Sequence, residues 1–144
     1  DIELETDSQL KSNKSNIITL MNTYMHIGFC YRKLEKYQDA VFHYSKVITL
    51  VESYKNSNSN SKNSKNSKNN SKNSNNKILQ ITNVNMSSKM YNNRAYCHAK
   101  LNNFQDAVND YTIVIELDVC NSHAYHNRGM YIVCIMCICS VYSM

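Results

Sequence analysis

One segment of this chain occurs twice in similar form, and a third copy begins near the end of the sequence. Residues 24–50 and 91–117 share 12 identities in 27 aligned positions, and a third copy opens at Tyr125. The second copy opens at Tyr91, and the step from there to Tyr125 is the period of the repeat. Periods of about 20–50 residues are typical of stacked modules, each of which buries its apolar face only against its neighbours. The repeat therefore predicts an array of stacked modules.

The spacing of apolar residues within each copy predicts helices. These residues recur at intervals of three and four positions, which places them on one helical face. The predicted helices are 17–34, 37–54, 88–101, 104–118 and one that begins after Asn121-Ser122, either of which can cap it. Short polar turns, Glu35-Lys36 and Asn102-Asn103, separate the helices of each pair. Loops of two or three residues make the paired helices pack antiparallel.

An insert separates the first two copies, because the step from Tyr24 to Tyr91 is nearly double the step from Tyr91 to Tyr125. We place it at 55–87. Residues 55–77 are only Asn, Lys and Ser, and they cannot bury enough apolar surface to fold, so we expect disorder there. Residues 78–87 are more apolar, and we expect them to extend the next helix backwards.

The basic character of the chain belongs to this insert. Six of the sixteen basic residues lie in 55–77, where there is no acid, so the tract accounts for the net charge of +5. A nucleic-acid interface would need basic residues clustered on structured elements. We therefore expect no nucleic-acid partner.

The predicted organisation has five parts. Residues 1–8 resemble 115–122, which end a module, and this suggests that the chain is an excerpt of a longer array. The parts are the end of a preceding module plus a linker (1–20), a first repeat (21–54), a mostly disordered insert (55–87), a second repeat (88–121) and the start of a third repeat with a divergent apolar tail (122–144).

Several positions resemble the tetratricopeptide repeat family. In the first copy these are Gly28, Tyr31, Tyr37, Ala40, Tyr44 and Leu50, and in the second Ala95, Phe104, Ala107, Tyr111 and Leu117. The segments 91–95 and 124–129 resemble the opening of the first helix, helix A, of such repeats. The resemblance implies an all-α solenoid of antiparallel helical hairpins. It also implies a non-catalytic scaffold for protein–protein interaction.

The same resemblance implies a concave groove, lined by the A helices, that holds an extended peptide or a partner helix. The groove positions in this chain are Asn22, Met25, Phe29, Arg32, Lys89, Asn92, Tyr96, Ala99, His123, His126 and Met130. For any single residue, the alternative is that it is merely solvated or packs against a flanking module.

One ligand class can be tested against the sequence. Members of the family that grip the acidic tail of a chaperone use Lys, Asn and Arg side chains as a clamp for two carboxylates. The corresponding positions here are Met25, Phe29, Asn93, His126 and Met130, of which only Asn93 has the required type. Without cations at these positions the site lacks charge-assisted hydrogen bonds to carboxylates. The sequence therefore argues against a chaperone-tail clamp in this register.

The six cysteines invite a disulfide interpretation, but their spacing argues against it, so we expect a reducing, cytoplasmic setting. Cys30 and Cys97 occupy equivalent positions, which we expect on the buried side of equivalent helices, where free cysteines act as small apolar residues. Cys134, Cys137 and Cys139 have a metal-like spacing but lack a second ligand pair. His123 and His126 could share a helix face but lack a carboxylate partner. We therefore expect no metal and no cofactor.

No phosphate-binding loop, nucleophile motif or paired carboxylate occurs, so we expect no enzyme activity in this segment. Residues 130–144 are uncharged, but as a helix they span about 22 Å, short of a bilayer core of about 30 Å. This argues against a membrane anchor. The apolar tail leaves self-association open as an alternative role. A structural linker within a longer array and an accessory region of an enzyme whose catalytic domain lies elsewhere are further alternatives.

Overall fold

The computed structural model describes the backbone at residues 2–60 and 73–142, and the side chains at 15–53 and 85–141. The described backbone forms five helices: α1 (Ile2–Lys33), α2 (Tyr37–Asn60), α3 (Asn73–Lys100), α4 (Phe104–Leu117) and α5 (Ser122–Tyr142). Within these ranges there is no β-strand. Each helix packs against the next one along the chain, so α1–α2 and α3–α4 form hairpins and α5 follows them in the stack. The predicted all-α helical-repeat fold is confirmed.

Both hairpins reverse direction through the same turn. In each turn a backbone amide reaches back five residues at 2.9 Å, from Lys36 to the Tyr31 carbonyl and from Asn103 to the His98 carbonyl. Glu35 and Asn102 take the left-handed conformation that this turn requires, with φ of 58° and 60°. Such turns satisfy carbonyls that a helix end leaves without partners. The second helices of the hairpins begin at Tyr37 and Phe104, as predicted.

Side chains also stabilise the helix starts. Asp39 and Asp106 lie in the first turns of α2 and α4, where a negative charge is favoured by the helix dipole. The Asn121 side-chain oxygen accepts a hydrogen bond from the Ala124 amide at 3.1 Å. Of the two residues predicted to cap α5, Asn121 therefore does so.

Three helices are longer than the sequence predicted. Helix α1 begins at Ile2, where we expected the end of a module and a linker. Helices α2 and α3 reach Asn60 and Asn73, so 55–60 and 73–77 are helical where we expected disorder. These segments contain no glycine or proline, so nothing interrupts the helix once its packed part has formed. The backward extension of α3 over 78–87 is confirmed, and the rest of the predicted disordered tract, 61–72, lies outside the described residues.

Two buried clusters form the core. The first lies between α1, α2 and α3 and contains Met21, Ala40, Tyr44, Val47, Ile48, Val51, Met90 and Cys97. The second joins α3, α4 and α5 and contains Ala95, Ala99, Ala107, Tyr111, Val114, Ile115 and Ala124. Tyr91 packs against both clusters, so the core is continuous along the stack.

The expectation that Cys30 and Cys97 are both buried is wrong for Cys30. Cys97 is fully buried among residues of α2 and α3, whereas Cys30 is exposed. Helix α3 is covered by α2 on its Cys97 side and by α4 on the other. Helix α1 packs against α2 through the residues around Gly28, and the side that carries Cys30 remains exposed. Equivalent positions therefore differ in burial because their helices have different neighbours.

Candidate functional site

Three of the predicted groove residues meet on the surface that α1 and α3 share. The guanidinium carbon of Arg32 lies 5.3 Å from the ring centroid of Phe29 and 5.4 Å from that of Tyr96. A cation at this distance is attracted to an aromatic face by about 0.5–1 kcal/mol at an exposed site. Phe29 is still 43% exposed, so part of its ring remains available for contact. We call Phe29, Arg32 and Tyr96 the aromatic patch.

Two lysines flank the aromatic patch. The Lys33 ammonium lies 5.6 Å from the Phe29 centroid, and the Lys100 ammonium lies 5.5 Å from the Tyr96 centroid. These lysines are equivalent residues at the ends of α1 and α3 and are identical between the two copies. The groove prediction did not include them, although this identity was a signal that could have found them.

Charge is divided between the two kinds of helix. The described side chains of the A helices α1, α3 and α5, at 15–33, 85–100 and 122–141, include six Lys or Arg residues and no acid. Those of α2 and α4, at 37–53 and 104–117, include five acids and one lysine. A surface lined by one sign of charge concentrates ligands of the opposite sign. Apart from Arg94, which pairs with Asp110 of α4, these cations give the described side chains of the A helices a net positive charge.

The remaining predicted groove residues differ in exposure. Asn22, Met25 and Asn92 are half-buried, and Met25 also packs against the first core cluster. Ala99 is only 7% exposed and belongs to the second core cluster. The exposed positions are Lys89, His123, His126 and Met130. Apart from Ala99, these residues are at least partly accessible, but the structure does not bring them together as it does the aromatic patch.

An ion pair that the sequence interpretation missed joins three helices. Arg94 donates to both carboxylate oxygens of Asp110, from Nε at 2.8 Å and from Nη2 at 2.7 Å. Its Nη1 donates to the Ser45 hydroxyl at 3.0 Å, which links α3 to α2 as well as to α4. Asp110 is only 3% exposed. The hydrogen bonds to Asp110 raise the pKa of Arg94, so the guanidinium remains charged at neutral pH.

Tyr91 and His98 extend this contact between α3 and its neighbours. The Tyr91 hydroxyl donates to the Glu52 carboxylate at 2.8 Å, and the Arg94 guanidinium lies 5.3 Å from the Tyr91 ring centroid. Burial lowers the pKa of His98, so its imidazole is neutral at pH 7. The distance of 4.0 Å between His98 Nδ1 and Asp106 is therefore not an ion pair at that pH.

The cysteines and histidines of α5 do not gather into a metal site. Across the described side chains, no group of three His, Cys, Asp or Glu residues is placed to hold a metal ion. Cys134, Cys137 and Cys139 lie along α5 and are not joined by disulfide bonds. Over the described parts of the chain, no helix has both the length and the apolar character that crossing a membrane requires.

Comparison with known families shows which family the chain belongs to. A profile of the family described as RNA polymerase I-associated factor PAF67 matches residues 1–95, about two thirds of the chain. The chain belongs to the PAF67 family. This match covers α1, α2 and most of α3. A tetratricopeptide repeat profile matches residues 88–118, which include the end of α3 and all of α4, and this confirms the resemblance to tetratricopeptide repeats. Comparison with curated proteins gives no match.

Proposed function

We propose that this chain is a protein-interaction scaffold that holds a peptide or a helix in the concave groove formed by α1, α3 and α5. The aromatic patch is the observation that carries the proposal. It combines a partly exposed ring, a guanidinium and a second ring contributed by two successive A helices. Exposed aromatic and Arg side chains are the residues that most often dominate the binding energy of a protein interface.

The chemistry around the aromatic patch favours a ligand with acidic and apolar side chains. Arg32, Lys33 and Lys100 supply donors beside the rings, and the described side chains of the A helices, at 15–33, 85–100 and 122–141, include no acid to repel a carboxylate. These cations lie at positions other than those of a chaperone-tail clamp. The ligand would therefore place its carboxylates along the groove rather than at a single terminal clamp. We propose that Asn22, Met25, Lys89, Asn92, His123 and His126 line the rest of the groove.

The family description indicates where to look first for a partner. It names PAF67 as a factor associated with RNA polymerase I. Components of that polymerase are therefore the first proteins to test against the groove.

A matched pair of phenylalanine variants tests the groove. Phe42 on α2 is 56% exposed and has the Lys46 ammonium 5.3 Å from its ring centroid, so its surroundings resemble those of Phe29. The full chain, immobilised, would be compared with its Phe29→Ala and Phe42→Ala variants in capture from extracts, with RNA polymerase I subunits quantified by mass spectrometry. We expect Phe29→Ala to reduce recovery of a specific partner about tenfold or more, as a central interface aromatic does.

The Phe42→Ala variant should retain that partner, and circular dichroism should show equal helicity for all three proteins. Equal recovery with both variants would contradict the groove. It would favour a role in which this segment only joins flanking repeats, or is an accessory region of an enzyme whose catalytic domain lies elsewhere.

A further inference from the structure

Three cations and two rings alternate along the surface that α1 and α3 share. The aromatic patch and its two flanking lysines give, in order, Lys33, Phe29, Arg32, Tyr96 and Lys100. Each cation lies 5.3–5.6 Å from the centroid of every ring next to it. Both sides of this arrangement are formed by described helices, α1 and α3. We call these five residues the cation row.

The cations of the row have no anionic partner of their own. Among the described side chains, none of the three takes part in an ion pair. The Nε of Arg32 is also buried without an acceptor there. By contrast, the guanidinium of Arg94 on α3 donates hydrogen bonds to Asp110 and to Ser45. Buried donors without acceptors are uncommon in folded proteins, so the surroundings of Arg32 suit an acceptor that a ligand supplies.

The repeated fold does not require an arginine at this position. The second copy has Ala99 where the first has Arg32, and Ala99 lies in the second core cluster. An aromatic residue and a lysine four positions after it are, by contrast, common to both copies. The first copy therefore adds a cation between two rings that the repeat already provides.

A phosphoryl group matches these cations better than a carboxylate does. A phosphorylated side chain has a charge of about −1.5 to −2 at pH 7 and three strong acceptor oxygens, whereas a carboxylate has a single charge and two oxygens. A guanidinium binds two oxygens side by side, and a lysine ammonium on its flexible stem can reach a third. The described side chains of the A helices include no acid that would repel such a group.

We propose that the cation row binds a phosphorylated side chain of the peptide held in the groove, so that phosphorylation of the partner controls its binding. This inference rests on the proposed function, because it assigns one position of the same ligand. Arg32 binds two of the phosphoryl oxygens, and Lys33 and Lys100 approach the group from α1 and α3. The exposed part of the Phe29 ring contacts the peptide beside the phosphorylated residue.

Short peptides test the cation row without a natural partner. The peptides Ala-Ala-X-Ala-Ala, acetylated and amidated to remove their terminal charges, would have phosphoserine, Glu or Ser at X. Each would be titrated into the ¹⁵N-labelled full chain and followed by the amide resonances of α1 and α3. We expect saturable binding of the phosphoserine peptide, at least about fivefold weaker binding of the Glu peptide and at least about tenfold weaker binding of the Ser peptide.

Two lysine substitutions form a matched pair. Lys100→Ala and Lys46→Ala each remove a cation that lies over one aromatic ring, at 5.5 Å from Tyr96 and 5.3 Å from Phe42. Only Lys100 belongs to the cation row, so Lys100→Ala should weaken binding of the phosphoserine peptide at least about threefold and Lys46→Ala should change it less than about 1.5-fold. Arg32→Gln should weaken it about tenfold or more, since charge-assisted hydrogen bonds are lost. Circular dichroism should show equal helicity for all variants.

Capture from extracts separates this proposal from the groove itself. The extract would be treated with a protein phosphatase before capture by the immobilised full chain. We expect about tenfold lower recovery of the partner that Phe29→Ala also loses. Unchanged recovery after this treatment, with recovery still reduced by Phe29→Ala, would refute the phosphoryl site and leave the groove intact.

The peptide titrations can refute the proposal independently. Equal affinities for the phosphoserine and Glu peptides, full binding by the Arg32→Gln chain, or equal effects of the two lysine substitutions would each do so. The absence of saturable binding up to about 10 mM peptide would do so as well. Failure of the groove would instead appear as a capture that Phe29→Ala does not change, which the titrations do not depend on.

Discussion

Removing the carboxylate of Asp110 should destabilise the fold more than any change of an exposed charge. Asp110→Ala would leave the guanidinium of Arg94 without its two hydrogen bonds at 2.7 and 2.8 Å, and would leave it the hydrogen bond to the Ser45 hydroxyl and the contact with the Tyr91 ring. Breaking a fully buried ion pair from one side costs about 3–5 kcal/mol. The Arg94 side chain is 20% exposed, so water can partly solvate it, and we expect a loss of about 2–3 kcal/mol.

Urea unfolding followed by circular dichroism at 222 nm would measure this loss. The first hairpin supplies the matched double variant, because it has Ile27 and His43 where the second has Arg94 and Asp110. At pH 8, Arg94→Ile/Asp110→His should fall within about 1.5 kcal/mol of wild type, since it removes both charges together. Ser45→Ala should cost about 1 kcal/mol, the value of one hydrogen bond. An Asp110→Ala chain as stable as wild type, or a double variant as unstable as the single one, would refute the reasoning.

Three further predictions concern buried groups. Gly28→Ala should destabilise the chain by about 1 kcal/mol despite the better helix propensity of Ala, because its Cβ would lie 2.9 Å from the buried Tyr44 ring; an unchanged urea midpoint would contradict this. Burial raises the pKa of the Cys97 thiol to about 11. At pH 8 a disulfide reagent should therefore modify the exposed Cys30 at least about tenfold faster than Cys97, as peptide mapping would show. Burial also raises the pKa of Tyr44 and Tyr111 from 10.0 to about 12. The unfolded tyrosines ionise first, so the free energy of unfolding should fall as pH rises from 10 towards 12, and urea curves that coincide across this range would count against it.

The hairpins could be predicted from the sequence because two independent signals agree there. Apolar spacing predicts the helices, and the repeated polar pairs predict the turns at Glu35 and Asn102. The lengths of α2 and α3 were underestimated because Asn, Ser and Lys in a low-complexity tract suggest disorder, yet they do not stop a helix as glycine or proline does. The length of α1 was underestimated because residues 1–20 were interpreted as a module end and a linker. Local composition therefore predicted less helix than the chain forms.

The contacts between helices were harder to predict. The exposure of Cys30 depends on what covers one side of α1, which the Cys30 position alone does not encode. In the sequence, Arg94 and Asp110 look like ordinary surface charges, because only the packing of α4 on α3 brings them together. Phe29 and Tyr96 were predicted in the groove, but their shared contact with Arg32 depends on how α1 and α3 are spaced.

The separation of charge between the two kinds of helix has a kinetic consequence. Among the described side chains, the A helices have cations and no acid while α2 and α4 have five acids and one lysine, so we expect an electric field across the width of this part of the stack. An anionic ligand would be drawn towards the groove before any contact forms, which raises the association rate constant. Added salt screens this attraction over about 10 Å at 0.1 M, so ligand arrival should slow as ionic strength rises. Dissociation, governed by short-range contacts with the rings, should change little. The charge pattern would therefore control the association rate of an anionic ligand, and the aromatic patch would control its residence time.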